Sequence, residues 1–225
     1  MRIGKKLCTA LAALALTGGV AATAPADLID QVSPPQTTNW SETLELDKWD
    51  PAANPGKQLV KVRLTLTGYI ESEIALENTD SSAKQVTQSI NGTITLKRPD
   101  NTNLVIVLPG FHVVADLDAY DGVTDYSGPS GITYPLQFDE KTDSVEFTAP
   151  ADLALFIGPG TIVLPVTASA VSADDAGGNL DKQIATRASA IAQIEYFVEA
   201  VPEPAAAVLG LIGLGMISLR RRAAV

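Results

Sequence analysis

The sequence predicts an all-β fold: an antiparallel β-sandwich, with a jelly roll as one option for its strand order. It is set between an N-terminal signal peptide and a single short C-terminal transmembrane helix. Three observations predict it. Side chains alternate apolar and polar over long runs in the body. Those runs are separated by Gly, Pro, Asn and Asp, with no long amphipathic helix standing out between them. Each end carries an apolar stretch beside clustered positive charge. Period-two alternation with one wet face is what a strand of a half-covered antiparallel sheet requires.

The clearest run starts at Val60. Val60, Val62, Leu64 and Leu66 share one face, opposed by Lys61, Arg63, Thr65 and Thr67, and the phase continues through Ile70, Ile74 and Leu76. Glu77–Lys84 has turn composition. After it Val86, Ile90, Ile94 and Leu96 face one way, with Thr87, Asn91, Thr93 and Thr95 opposite. The two runs read as one long hairpin, with Gly68 and Gly92 as bulges or bends. Further strands are predicted at Leu104–Leu108, Val145–Thr148, Thr161–Ser169 and Ile184–Val198. In the last, Ile184, Ala188, Ala192, Ile194, Tyr196 and Val198 share a face, although its alanines would also suit a helix.

Residues 1–26 read as a secretory signal peptide. Arg2, Lys5 and Lys6 precede an apolar stretch from Leu7 to Val20, and the small residues of AATAPA follow, with cleavage fitting after Ala26. The exported body then covers 27–200. The tail, 201–225, begins Val-Pro-Glu-Pro and carries an uncharged run at 205–219 that ends at Arg220, Arg221 and Arg222. A helix over that run reaches about 22 Å at 1.5 Å per residue. The hydrocarbon core is about 30 Å thick, so the span is short. The three arginines extend it by snorkelling to the headgroups and mark the cytoplasmic side. Pro202 and Pro204 hold Val201 and Glu203 out of helix, leaving a narrow, extended, accessible segment just outside the membrane.

Charge narrows the choice of partners. The formal net charge is −10, yet six of the 16 basic residues and one of the 26 acidic residues lie in the two ends, so the body is more acidic than the total shows. Such a surface repels nucleic acid and anionic membranes. The one cysteine, Cys8, lies in the signal peptide, so the exported body has no thiol for a disulfide, a metal or nucleophilic catalysis.

Catalytic patterns are missing from the sequence. The single histidine, His112, lies in LPGFHVVADLDAY with no G-x-S-x-G serine and no H-E-x-x-H; it reads as a strand-end or loop residue, and the protein as no enzyme. For a ligand the best stretch is DLDAYDGVTDY. There Asp116, Asp118, Asp121 and Asp125 offer hard oxygen ligands to Ca²⁺ and Gly122 permits a sharp turn, but the spacing departs from that of the EF-hand. The competing reading of these aspartates is a solvated turn, and the same two readings apply to DDAGGNLD at 174–181. Beyond Ca²⁺, the residues call for no cofactor.

Two resemblances add to this. VPEPAAAVLGLIGLGMISLRRR resembles the PEP-CTERM sorting signal of Gram-negative bacteria. Val201, Pro202, Glu203 and Pro204 match its motif, and Arg220, Arg221 and Arg222 its terminal cluster. The resemblance implies a membrane-embedded exosortase as partner, cleavage near Pro-Glu-Pro, transient inner-membrane association with a cytoplasmic C-terminus, and a destination at the cell surface or in the extracellular matrix. It also links such proteins to exopolysaccharide. The stretch from Leu59 to Leu96 is similar to the choice-of-anchor E domain, with Glu77, Asn78 and Thr79 matching its turn and a span of about 38–200. That implies an exported surface module without known activity. The functional expectation is a structural or adhesive surface protein, the alternative a Ca²⁺-dependent carbohydrate-binding module.

Overall fold

The computed structural model describes Ala24–Pro25 and residues 29–201. The rest of the expected signal peptide and the expected membrane helix at 205–219 lie outside the described residues. Among those described, no helix is long and apolar enough to cross a membrane. In chain order the strands are β1 (Ala24–Pro25), β2 (Ile29–Thr37), β3 (Trp40–Asp47), β4 (Lys57–Asn78), β5 (Lys84–Lys97), β6 (Asn103–Val107), β7 (Gly110–Leu117), β8 (Gly131–Phe147), β9 (Thr161–Asp174) and β10 (Leu180–Ala200). A single turn of helix, α1 (Pro150–Leu153), and a 3-10 turn (Ala154–Phe156) follow β8.

All pairing between these strands is antiparallel, and one isolated parallel bridge joins Trp49 to Ile157. One sheet runs β2–β10–β4–β8, with β1 beside the end of β10; the other runs β3–β9–β5, with β6 and β7 sharing the far edge of β5. The pairs are nested: β2 with β10, β3 with β9, β4 with β8, and β5 with β6 and β7. This is one long hairpin rolled up so that β4 meets β10 and β5 meets β9, which is the strand order of a jelly roll.

Rolling explains the alternation. The faces carrying Val62, Leu64, Leu66, Ala190, Ala192 and Ile194 close on those carrying Leu44, Leu46, Ile94, Leu96, Leu164 and Val166, and all of these are buried. Each buried Val, Leu or Ile side chain contributes about 1.5–3 kcal/mol. The expected hairpin between the two longest early strands is not formed: β4 and β5 belong to opposite sheets and face each other. Alternation reports that a strand has one dry face, and is blind to whether the next strand pairs with it or covers it. Val60 also departs from expectation. A register shift beside Phe197–Val198 leaves it as the extra residue of a bulge, so Leu59 takes the inward position.

Gly68 and Gly92 are not bulges either, because the ladder runs through both without a shift. Both are buried, and they form a waist between two core clusters. A Cβ on Gly68 would lie 2.6 Å from Val107 Cγ2, and one on Gly92 would lie 2.9 Å from Ile70 Cδ1. The sheets approach here too closely for a side chain.

The lateral edges are closed by side chains, which keeps them from pairing with other chains. On one side Ser33 Oγ donates to Glu42 Oε2 (2.7 Å), joining β2 to β3. On the other, Tyr134 Oη of β8 donates to Val114 O of β7 (2.7 Å), and Gly110 N donates to Asp139 Oδ2 (2.8 Å). The Gly110 amide, followed by Lys141, holds the Asp139 carboxyl below the usual aspartate range. A lowered folded-state value means stability that is present above the ordinary aspartate pKa and lost as pH falls through the lower, folded one. Asp139→Asn is therefore expected to cost about 1 kcal/mol at neutral pH. It should also flatten the acid limb of thermal stability measured from pH 5 downward; an unchanged limb would count against this edge clasp.

Candidate functional site

The two ends of the sandwich differ, and the chain leaves from one of them. At the exit end, β10 finishes with Ala200 opposite Lys57, and Val201 N donates to Gly56 O (2.8 Å). Gly56 has φ +74°, which turns the chain into β4 at that point. Pro202 has no N–H, so the ladder cannot continue by a further donor. The fold's last described hydrogen bond thus belongs to the first residue of Val-Pro-Glu-Pro. Of the expected motif residues only Val201 is described; Pro202, Glu203, Pro204, Arg220, Arg221 and Arg222 lie outside the described residues.

Around Val201 the loops are fastened together. Lys48 N donates to Gly160 O and Trp49 N to Phe156 O (each 2.9 Å), and Gly158 N returns to Trp49 O (3.0 Å). Leu153 and Phe156 plug the core at this end, with Phe156 5.3 Å from Phe147 ring to ring. Between these loops lies a pocket of about 370 Å³ lined by Trp49, Pro51, Lys57, Leu153, Ile157 and Val201, among others. Sequence reasoning missed it. Its residues come from three separate segments, and none forms a motif alone.

Both strands that lead to the chain's outer segments meet here. Ala24, within the expected signal peptide, pairs with Val198, three residues before Val201. The opposite end is remote. β4 runs 22 residues from Lys57 to Asn78, about 70 Å at 3.3 Å per residue.

That far end is organised by Glu77 and Asn78, both buried. Glu77 Oε2 accepts from Tyr126 N (2.8 Å) and so holds a loop whose Tyr126 sits at φ +59°. Asn78 Nδ2 donates to Ser82 O (2.8 Å) and Asp118 O (2.6 Å), and Asn78 N donates to Ser130 O (2.8 Å). One Glu-Asn pair therefore stitches the 79–83 crossover to the 118–130 loop.

The four candidate calcium ligands sit in this region, and three of the four carboxylates are occupied locally. Asp116 lies on β7 and accepts from Gln85 Nε2 (2.8 Å). Asp118 is exposed where the loop leaves β7, its N–H bonded to Pro129 O. Asp121 caps its own turn by accepting from Val123 N (2.9 Å), and Asp125 accepts from Ser127 N (3.0 Å) and Ser127 Oγ (2.8 Å). No three His, Cys, Asp or Glu side chains gather to hold a metal ion among the described residues. In DDAGGNLD, Asp174 pairs with Lys182 and Asp175 Oδ1 accepts from Thr87 N (2.6 Å). His112 is neither at a strand end nor in a loop: it lies within β7, exposed, opposite Ser89.

Beside the far loop is a shallow groove of about 470 Å³ on the outer face of the β4–β10 sheet. Its lining includes Glu73, Ala75, Tyr126, Thr133, Gln183 and Ala185.

Comparison with known proteins bears on the exit end. Residues 200–223 match the PEP-CTERM protein-sorting motif. The motif marks an exported protein that is recognised and processed at the membrane by an exosortase, a membrane enzyme. The match begins at Ala200, where β10 ends, so motif and fold abut without a linker. No curated protein matches the chain. Among solved structures it is similar to the infectious bursal disease virus Gx strain structure at 12% identity, covering 88% of this chain and 51% of that one, with TM-score 0.24. It is also similar to the tailspike protein of Acinetobacter baumannii phage AM24 at 10% identity, covering 75% of this chain and 26% of that one, with TM-score 0.15. The chain spans about half the length of the first and a quarter of the second. Likenesses so slight carry no argument.

Proposed function

We propose that this protein is a non-enzymatic structural or adhesive module of the bacterial cell surface or extracellular matrix. A signal peptide delivers it, the apolar tail holds it briefly with its C-terminus in the cytoplasm, and an exosortase cuts it free at Pro-Glu-Pro. The observation that carries the reading is the abutment at Ala200–Val201: the folded body ends where the sorting motif begins. A cut there leaves the sandwich whole. The exit of the chain at Val201 beside Gly56 supports one membrane-proximal end, with the Glu77–Asn78 cap held roughly 70 Å away. The choice-of-anchor E resemblance belongs to this proposal and rests on the match of Glu77, Asn78 and Thr79 in the sequence.

Fractionation of cells with and without the exosortase tests it. The body should be found outside the inner membrane when the enzyme is present, and in the membrane fraction when it is absent. The same distribution in both strains would refute the reading.

The far groove favours a second reading, binding of an exopolysaccharide. A tyrosine, the four polar side chains of Glu73, Asp125, Thr133 and Gln183, and the alanines between them suit a sugar ring lying flat. Retention of the exported body on the producing cell's own polysaccharide, lost in Tyr126→Ala, is the expected result on this second reading.

A further inference from the structure

The exit pocket is apolar along most of its wall, yet Lys57 stands in its lining, and Val201, the motif's second matched residue, forms part of it. The next three residues of the chain are Pro202, Glu203 and Pro204. Pro204 is three residues beyond Val201, at most about 11 Å of chain, so with Val201 N held on Gly56 O the whole step is within reach of this rim. The chemistry matches as well. Proline-rich extended segments dock on surfaces built from aromatic and proline rings because they lose little entropy on binding; Trp49, Pro51 and Pro150 line this pocket. Glu203 is the only charged residue between Val201 and Arg220, and Lys57 is a cation in the lining.

We propose that this pocket is the seat of the chain's own Pro202–Pro204 step. The proline rings lie against Trp49, Pro51 and Ile157, and Glu203 pairs with Lys57. The proposal rests on the sorting reading above and adds regulation to it. A docked step is withheld from the enzyme's cleft, so docking and processing compete. Substitutions that loosen the seat therefore speed cleavage without touching the motif.

The test needs no exosortase, so its failure is distinct from failure of the sorting reading. In the full chain carrying Cys8→Ser, Ile157→Cys supplies a lone thiol at the pocket rim, where Ile157 is 36% exposed. Its reaction rate with a small maleimide is compared between the native tail and one with Pro202-Glu203-Pro204 replaced by Gly-Ser-Gly. The native tail should slow modification about tenfold. Lys57→Glu should remove most of that protection, and Lys57→Glu with Glu203→Lys should restore it. Equal rates with the two tails overturn the proposal. Protection indifferent to Lys57→Glu overturns the charge pairing, and protection that grows with protein concentration assigns the pocket to a second copy instead.

Discussion

Replacing both Pro202 and Pro204 with alanine is expected to abolish processing and leave the precursor in the membrane fraction. In the native chain two residues without N–H donors follow directly on Val201, whose amide makes the last described bond to the fold. A residue without an N–H cannot lengthen β10, and proline disfavours helix in the residue before it, which at these positions is Val201 and Glu203. With alanines at both positions, the segment joins without interruption to the Ala-rich run that follows. Alanine is the best helix former, so helix can propagate from the tail through the cleavage step. An enzyme that grips an extended chain then meets a rod. The body itself should stay folded: the variant, measured in detergent, should keep a single cooperative thermal transition, lowered by no more than the loss of the docked step. Normal cleavage of the double variant would show that the prolines are not what presents the site.

The second large effect is expected inside the fold. Gly131→Ala should cost about 3 kcal/mol, the upper part of the usual range for overpacking. Gly131 opens β8 beneath the far loop, at a buried position. A Cβ there would overlap Glu77 Oε2 and lie 2.5 Å from Ser127 N and 2.7 Å from Tyr126 C. Two of these three neighbours are backbone, which cannot swing aside, and the third is the carboxylate that holds the loop through Tyr126 N. Relief therefore requires the whole 118–130 loop to lift. For a domain of this size the melting temperature should fall by about 6–12 °C. Gly177→Ala is the control: nothing lies within 4 Å of its added Cβ, so its transition should stay within a degree or two of native. Equal melting temperatures for the two variants would mean that the cap is looser than described.

The same residues show how far the sequence was legible. β4 and β10 could be read because the sandwich leaves each with one dry and one wet face. Lys61 and Arg63 reach Glu146 on the wet side while Val62 and Leu64 are buried on the dry one. Of the edge strands β6 was read, at Leu104–Leu108, and the others were read poorly or not at all. β2 contains Pro34 and Pro35, which an edge tolerates and which look like a break in the sequence. Most of β8 is at least partly exposed on both faces, so only its end, Val145–Phe147, showed a strand's pattern. β3 is short, with just Leu44 and Leu46 fully inward, and β7 was masked by reading His112 and the aspartates beyond it as loop. Pairing failed for a different reason. Nothing local in β4 or β5 says that their faces meet across the core instead of lying side by side, because that is decided by β8, β9 and β10, far along the chain.

At the functional end the asymmetry is similar. The sorting motif is contiguous and its chemistry is linear, so residues 201–204 were recognisable as text. The pocket beside it is assembled by the register of β10 on β4 and by the 48–56 and 148–160 loops, and it exists only once the roll has closed. The aspartates show the reverse: four carboxylates within ten residues suggested a cation site, yet Asp121 and Asp125 each cap their own turn and Asp116 reaches across from β7 to Gln85 on β5. Spacing along a loop says little about convergence when side chains such as Asp121 and Asp125 find nearer backbone donors.

The central claim is that the folded body ends at Val201 and that the cell severs the chain just beyond it. The C-terminal residue of the exported polypeptide, determined by intact mass and C-terminal peptide sequencing, tests this most directly. The account predicts a polypeptide that retains β10 and ends within or immediately beside the Val201–Pro204 step. An exported polypeptide that still ends at Val225 would contradict it.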